Sequence, residues 1–490
     1  MVEPLKNKFY GFGVRDTDCV LILERDGILK LKHKPIRPIH LDTPGKPAPV
    51  EVPRTPESHP PALNDYENVS PEKALVDAFN RYRSRVDGGA GGEENFPLPS
   101  FFKAFSPQLD ALILDLLIKI VDNENMEDGL DVEKKLLEKK KQADYFFHFL
   151  NFVKIFEYLG LNVRLSVAEL AEKVVSSLKL YQSLQNVRDI SLKLKNDTIT
   201  KVLNHRKLAI QKWDGVALEA LFFSKVSRIG DFCEKLIETE EEYLAKDPLP
   251  LVKQCNIYLE TIIGTAKSYR DSFINSYIPP DTLVPSWTFS LRAVLEKQCS
   301  ICRDILSRKG NTKTDIYDQL FRLSDLLLGD YAMEVKCCPG NKQLGAKFQE
   351  LSKVCIKPFL REDMRNKALE LAEKYEEFST LIQICERFDK PRLEKYLLQF
   401  MHKGFPQVLF QHYYNTRQIS LLLNQPPVLW DQLSKFLEAH PTLQWIHSIE
   451  TQDYNQTNHI TSELGRSSNS IFLQRIYLSI SQMAALTSET

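Results

Sequence analysis

The sequence predicts an all-α protein, an irregular stacked-helix α-solenoid preceded by a β-hairpin and a proline-rich disordered linker. Two apolar stripes in the last third of the chain carry most of this prediction, because each follows the i, i+3, i+4, i+7 spacing of one helix face. The stripes are Ala368, Leu371, Ala372 and Tyr375, and then Phe378, Leu381, Ile382 and Cys385. Short amphipathic helices of this kind bury their apolar faces only by stacking on neighbours.

Residues 1–32 are predicted to form a β-hairpin. A β-rich run starts near Phe9 and ends at Asp26-Gly27, and the apolar alternation Ile28 to Leu31 follows it. An Asp-Gly pair between two such runs is a strong hairpin signal. A lone hairpin is marginally stable in water, so we interpret this segment as part of a larger sheet.

Residues 33–99 are predicted to be a linker with one short helix. Nine of the chain's 26 prolines lie between 33 and 64, a density that excludes helix and sheet and favours an extended tether. A helix is expected over 70–86, with Ser70 as N-cap and Pro71 at the first helical position.

Residues 100–490 are predicted to form the helical stack, in sub-blocks of about 100–280 and 281–490. No proline lies between 107 and 248, so helices there can be long. We expect an aromatic helix over 142–159 that Gly160 ends, and a later helix that opens at Asp197 or Thr198.

The composition describes a chain without a strong charge bias. The 490 residues carry 64 Lys+Arg and 65 Asp+Glu, a formal net charge of -1. Proteins that hold phosphates normally show a basic excess, so nucleic acid is not a predicted partner. No apolar run approaches the ~18 residues of a membrane span.

The cysteines are predicted to be buried thiols. The nine cysteines show no disulfide-type spacing, which suggests a reducing compartment. Cys299 and Cys302, with Cys337-Cys338 downstream, could in principle supply four zinc ligands. However, adjacent cysteines on a helix diverge by roughly 100°, and Cys299 and Cys302 fit a core stripe at i, i+3. We therefore predict neither a metal site nor a cofactor.

Histidine and tryptophan offer no convincing catalytic site. His148 lies in an aromatic helix, and Trp445 and His447 look like packing residues. Trp430, after Pro426-Pro427, is expected to anchor its helix to the stack. Contact with a partner protein is the second interpretation of these residues.

Two charged runs are expected to be solvated helix faces. The basic run is 131–142, for which contact with nucleic acid or an acidic partner is the alternative; the acidic run is 238–246. The chain contains no GxxxxGK[ST], GxSxG or HExxH motif, and no GxGxxG after a strand. We therefore assign no catalytic or binding residue and predict that the protein is not an enzyme.

Several blocks resemble the C-terminal helical region of the nucleoporin 133 family. They are AEKYEEFSTLIQICERFDKPRLEKYLLQFMHKGFPQVLFQHYY (372–414), SKFLEAHPTLQWIHSI (434–449), LSISQMAALTSE (478–489) and VALEALFFSKVSRIGDFCEKLIETEEEYL (216–244). The resemblance covers about 190–490 well and 100–190 loosely, and its specificity lies in the order of the blocks.

The resemblance implies a structural scaffold subunit of the Y-shaped outer ring of the nuclear pore complex, at the nuclear envelope. Such a subunit supports pore assembly, mRNA export and protein transport, and its partners are other Y-complex nucleoporins. Family members begin with a β-propeller, of which the hairpin is the expected remnant. Because the family's membrane-sensing loop lies in that propeller, no direct membrane contact is predicted. The chain stops before the helices that dock the family to its 107 subunit, so that contact is not carried over.

Three alternatives remain from the sequence. A helical scaffold of a vesicle coat or tethering complex has the same physical pattern. An enzyme that uses Cys299 and Cys302, and a nucleic-acid-binding helical repeat, belong to other classes of protein.

Overall fold

The computed structural model describes two separate units, a small one within residues 1–63 and a large one within 64–490. In the first unit, the backbone is described for 9–15, 18–23 and 27–32. In the second, the structure describes 70–88, 106–122, 131–185, 189–207, 215–244, 248–280, 282–307 and 314–488. Of the linker predicted for 33–99, residues 33–69 and 89–99 lie outside the described residues, as do 100–105.

The first unit contains a three-stranded antiparallel sheet in the order β1-β2-β3, where the sequence predicted a hairpin. The strands are β1 (Phe9–Arg15), β2 (Asp18–Leu23) and β3 (Gly27–Lys32). β2 and β3 form the expected pair, with Leu23 opposite Gly27 and Asp18 opposite Lys32. The continuous run that starts at Phe9 is therefore two strands, separated in the sequence by Asp16 and Thr17, polar residues of the kind that favour turns.

The second unit begins with α1 (Pro71–Val86). Its N-terminus has the predicted geometry: the Ser70 side chain accepts a hydrogen bond from the Lys73 amide at 3.3 Å, and Pro71 occupies the first turn. A proline loses nothing there because the first amides of a helix have no partner within the helix.

The predicted all-α stack is confirmed for the described residues between 70 and 488, where α1 is followed by twenty further α-helices. The first eleven are α2 (Ser106–Val121), α3 (Val132–Phe152), α4 (Leu161–Leu184), α5 (Asp189–His205), α6 (Gly215–Ser224), α7 (Gly230–Tyr243), α8 (Pro248–Leu259), α9 (Thr265–Tyr277), α10 (Arg292–Ser307), α11 (Thr314–Cys337) and α12 (Lys342–Ile356). A π-helical turn, Glu260–Gly264, joins α8 to α9.

Beyond α12 the helices are shorter, as the closer spacing of prolines predicts. They are α13 (Arg365–Lys374), α14 (Phe378–Phe388), α15 (Lys390–Gln399), α16 (Phe405–Asn415), α17 (Ile419–Leu423), α18 (Trp430–Leu437), α19 (Pro441–Glu450), α20 (Tyr454–Ser467) and α21 (Ile471–Ser488).

Helices that are close in sequence pack against each other along this unit. The principal packing partners are separated by at most three positions in the order of helices along the sequence. The exception is α4, which also packs along α9. Buried apolar side chains form one core that continues from Leu75 in α1 to Leu437 in α18. All eight residues of the two predicted stripes, from Ala368 to Cys385, are buried in this core.

Helix ends were the weakest part of the sequence prediction. α3 ends at Phe152, because Lys154 takes a left-handed conformation (φ 56°) and the Ile155 amide bonds to the Leu150 carbonyl. Gly160 instead precedes the first residue of α4. The expected start at Asp197 or Thr198 is also wrong, since α5 runs through both residues.

Candidate interaction site

Of the four cysteines that could have formed a metal site, Cys299 and Cys302 are part of the core, but the prediction of a buried thiol is wrong for Cys338. Cys299 and Cys302 lie on α10 and are completely buried, whereas Cys337 is half-buried and Cys338 is exposed. Burial raises the pKa of the Cys302 thiol to about 12 and that of Cys299 well above its usual value. Across the described residues, no three His, Cys, Asp or Glu side chains are placed to hold a metal ion.

Cys302 borders a buried network of side-chain amides. Asn256 of α8 donates to the Gln319 side chain of α11 at 2.9 Å and accepts from the Gln298 side chain of α10 at 2.8 Å. Gln298 also donates to Glu240 of α7 at 3.1 Å. All four polar residues are buried. The network therefore holds four helices in one register, a structural role that periodicity alone could not reveal.

The tryptophan and histidine residues near the C-terminal helices mostly pack inside the stack, as predicted. The Trp430 indole donates to the Gln425 carbonyl at 3.0 Å and meets His447 edge to face at 6.1 Å. His447 is buried, and this burial lowers its pKa. Trp445 is half-buried and contacts Tyr477. His148, by contrast, is exposed.

The two charged runs are solvated faces with one buried exception in each. In the basic run, Lys139 is only 7% exposed, and its ammonium donates to the carbonyl oxygens of Val121, Phe223 and Ser224 at 2.6, 3.1 and 2.8 Å. In the acidic run, Glu240 is completely buried. The other charged residues described in these runs are half-buried or exposed.

An open groove lies between α15 on one side and α17 with the segment 424–430 on the other. Its volume is about 1280 Å³, larger than the ~300–1,000 Å³ of a typical small-molecule pocket. Leu393 and Leu397 of α15 and Tyr413 of α16 provide buried apolar lining. The groove is open and mainly apolar, so its form suits a protein segment more than a small substrate.

The α21 helix carries a second apolar surface. Six of its aliphatic and aromatic side chains and one methionine are between 37% and 72% exposed: Ile471, Phe472, Leu473, Ile476, Leu478, Met483 and Leu486. The opposite side of α21 packs on α20, and this contact buries Ser481 and Ala484 of α21. Among the described residues, no helix is long and apolar enough to cross a membrane.

Known proteins resemble this chain over most of its length. No protein-family model matches it. The human nuclear pore complex protein Nup133 is 27% identical over an alignment of 396 residues, which covers 74% of this chain and 34% of the relative. The mouse protein of the same name is 25% identical over an alignment of 437 residues, which covers 78% of this chain and 37% of the relative.

The zebrafish Nup133 adds a third match, 28% identical over an alignment of 298 residues, which covers 55% of this chain and 26% of the relative. The chain resembles the nucleoporin 133 family, since each of these relatives bears the name Nup133. It spans about a third of the length of the human and mouse family members that it matches. The sequence resemblance to this family is thus confirmed.

Proposed function

We propose that the chain is a non-enzymatic scaffold subunit of the nuclear pore complex, acting in its outer-ring Y-complex at the nuclear envelope. There it would support pore assembly, mRNA export and protein transport. One observation carries the proposal: proteins named as nuclear pore complex protein Nup133 match as much as 78% of this chain.

The helical unit supports a scaffold role physically. Its core is built from helices that are near neighbours in sequence, as in a helical stack. A stack of this kind offers extended surfaces for partners and does not need the enclosed cavity on which most enzymes depend. The partners that we propose are other Y-complex nucleoporins, which would bind grooves and helix faces. We propose no direct contact with nucleic acid or with a membrane.

A vesicle-coat or tethering scaffold would have the same physics, but none of the matching relatives bears such a name. Localisation separates the two. The chain with a fluorescent tag, expressed in its own cells beside the tag alone, should form a nuclear rim that overlaps a pore marker.

Proximity labelling from the same tag should enrich nucleoporins over coat subunits. A diffuse signal identical to that of the tag alone would contradict the proposal. Punctate cytoplasmic labelling that enriches coat subunits would favour the vesicle-coat scaffold instead.

A further inference from the structure

Two apolar surfaces of the helical unit face solvent, and their shapes are complementary. One is the groove between α15 and α17, and the other is the outward stripe of α21. A helix laid into an apolar groove is a common mode of protein recognition. Exposed apolar patches on this scale usually mark an interaction site.

The groove presents aliphatic side chains from both of its walls. Leu398 on α15, Leu421 on α17 and Val428 beyond it leave 66%, 47% and 57% of their surface in water. Each would release ordered water on contact with an apolar partner. Their position on opposite sides of one gap favours a single long occupant over scattered contacts.

The α21 stripe has the geometry of such an occupant. Phe472, Ile476, Met483 and Leu486 follow the spacing i, i+4, i+11, i+14, so they lie on one side of the helix. Their exposed fractions run from 37% at Ile476 to 72% at Phe472. The helix has 18 residues and is about 27 Å long.

The charges of the two surfaces are compatible. Arg475 is the only charged residue of α21, and it is exposed at the edge of the stripe. Two carboxylates of the groove, Glu394 and Glu450, have no cation within ion-pair distance among the described residues. Arg387 and Lys390 also line the groove, and they would stay in solvent at its rim because α21 has no carboxylate.

We propose that α21 of one copy of the chain docks in the α15–α17 groove of a second copy. The contact is heterologous, since the two copies contribute different surfaces, and each dimer keeps one free groove and one free α21. The protein therefore associates head to tail, and its average mass grows with concentration. Arg475 meets Glu394 or Glu450 across the interface.

Sedimentation velocity of the 490-residue chain tests the proposal between 1 and 100 µM. The wild type should exceed its monomer mass of 56.5 kDa progressively. Leu398→Glu in the groove and Met483→Glu on α21 should each keep the protein monomeric, because each places a carboxylate in an apolar contact. Circular dichroism verifies that both variants fold.

Mixing the two variants distinguishes a heterologous contact from a symmetric one. The groove variant keeps an intact α21, and the α21 variant keeps an intact groove. Their equimolar mixture should form a dimer of twice 56.5 kDa and grow no further. A mixture that stays monomeric would overturn the head-to-tail arrangement.

Leu283→Glu is the matched control, because Leu283 is also exposed (53%) but lies outside both surfaces. It should associate like the wild type. Arg475→Glu should weaken association at least fivefold, whereas Arg475→Lys should change it less than twofold. A wild type that is monomeric at 100 µM, or a control variant that loses association equally, would overturn the proposal.

Discussion

The ammonium of Lys139 lies 2.8 Å from the carbonyl oxygen of Ser224, the last residue of α6. The same ammonium donates to Val121, the last residue of α2. The C-terminal carbonyls of a helix have no partner within the helix, and they carry the negative end of its dipole. One buried cation from α3 therefore completes the ends of two other helices.

Replacing Lys139 should destabilise the fold around these two helix ends. Lys139→Met keeps the length of the side chain but leaves the carbonyls of Val121, Phe223 and Ser224 without this donor. We expect the free energy of unfolding to fall by about 2–4 kcal/mol. Urea denaturation followed by circular dichroism measures it.

The matched control for that experiment is Lys134→Met, an exposed position on the same helix. It should change the free energy of unfolding by less than about 0.5 kcal/mol. Equal effects of the two substitutions would refute the role of Lys139.

The amide network should show strong coupling between its members. Asn256→Ala leaves the Gln298 and Gln319 side chains buried without this partner, and should lower the free energy of unfolding by about 2–4 kcal/mol. In a double-mutant cycle with Gln298→Met, the coupling energy should exceed about 1 kcal/mol. Additive effects would mean that the network does not act as a unit.

Glu240 should make the stability of the protein depend on pH. Burial raises the pKa of its carboxyl group from 4.5 to about 7. Between these values the folded chain binds more protons than the unfolded chain, so stability is greatest below pH 4.5 and falls as the pH rises through 7. The total effect is about 3 kcal/mol, from 1.36 kcal/mol per pKa unit.

Glu240→Gln mimics the neutral carboxyl group and should remove this dependence. The unfolding free energy of the variant minus that of the wild type should rise by about 2 kcal/mol from pH 5.5 to 7.5. Burial also raises the pKa of Glu172, but Glu172 is present in both proteins and cancels in the difference. Glu241→Gln, at a partly exposed ion pair with Lys297, is the control and should show no such rise.

The π-helical turn between α8 and α9 should depend on one hydroxyl group. Ser176 of α4 donates to the Ile262 carbonyl within that turn at 3.0 Å. Ser176→Ala should lower the free energy of unfolding by about 1–2 kcal/mol and speed hydrogen exchange of amides near 260–266. Ser177→Ala is the control, because Ser177 is also buried but donates within its own helix to Lys173.

The buried thiols should be inert in the folded protein. Iodoacetamide labelling with peptide mass spectrometry should modify Cys338 quickly, and Cys299 and Cys302 only after denaturation. The reason is twofold: these two side chains are inaccessible to the reagent, and burial raises their pKa. Rapid labelling of Cys299 in folded protein would contradict the buried placement.

Sequence patterns predicted helix interiors better than helix ends. In the described part of the chain, five helices are followed by a non-glycine residue in the left-handed conformation, at Lys154, Lys207, Glu376, Arg417 and Gln452. These residues have no intrinsic preference for it, so only the surrounding packing can compensate the strain of about 1 kcal/mol. The expectation of a glycine stop at Gly160 failed for this reason, since α3 had already ended at Phe152.

The sequence by itself determined where apolar faces lie and which local caps form. The stripes from Ala368 to Cys385, the Ser70 cap and the burial of Cys299 and Cys302 all follow from helical spacing, because periodicity is a property of neighbouring residues. Only the tertiary structure decided that Lys139 and Glu240 are buried, because both lie in charged runs with the composition of a solvated helix face. Their burial depends on groups from other helices that form hydrogen bonds with them. A local sequence pattern does not indicate which other helix packs against a given residue.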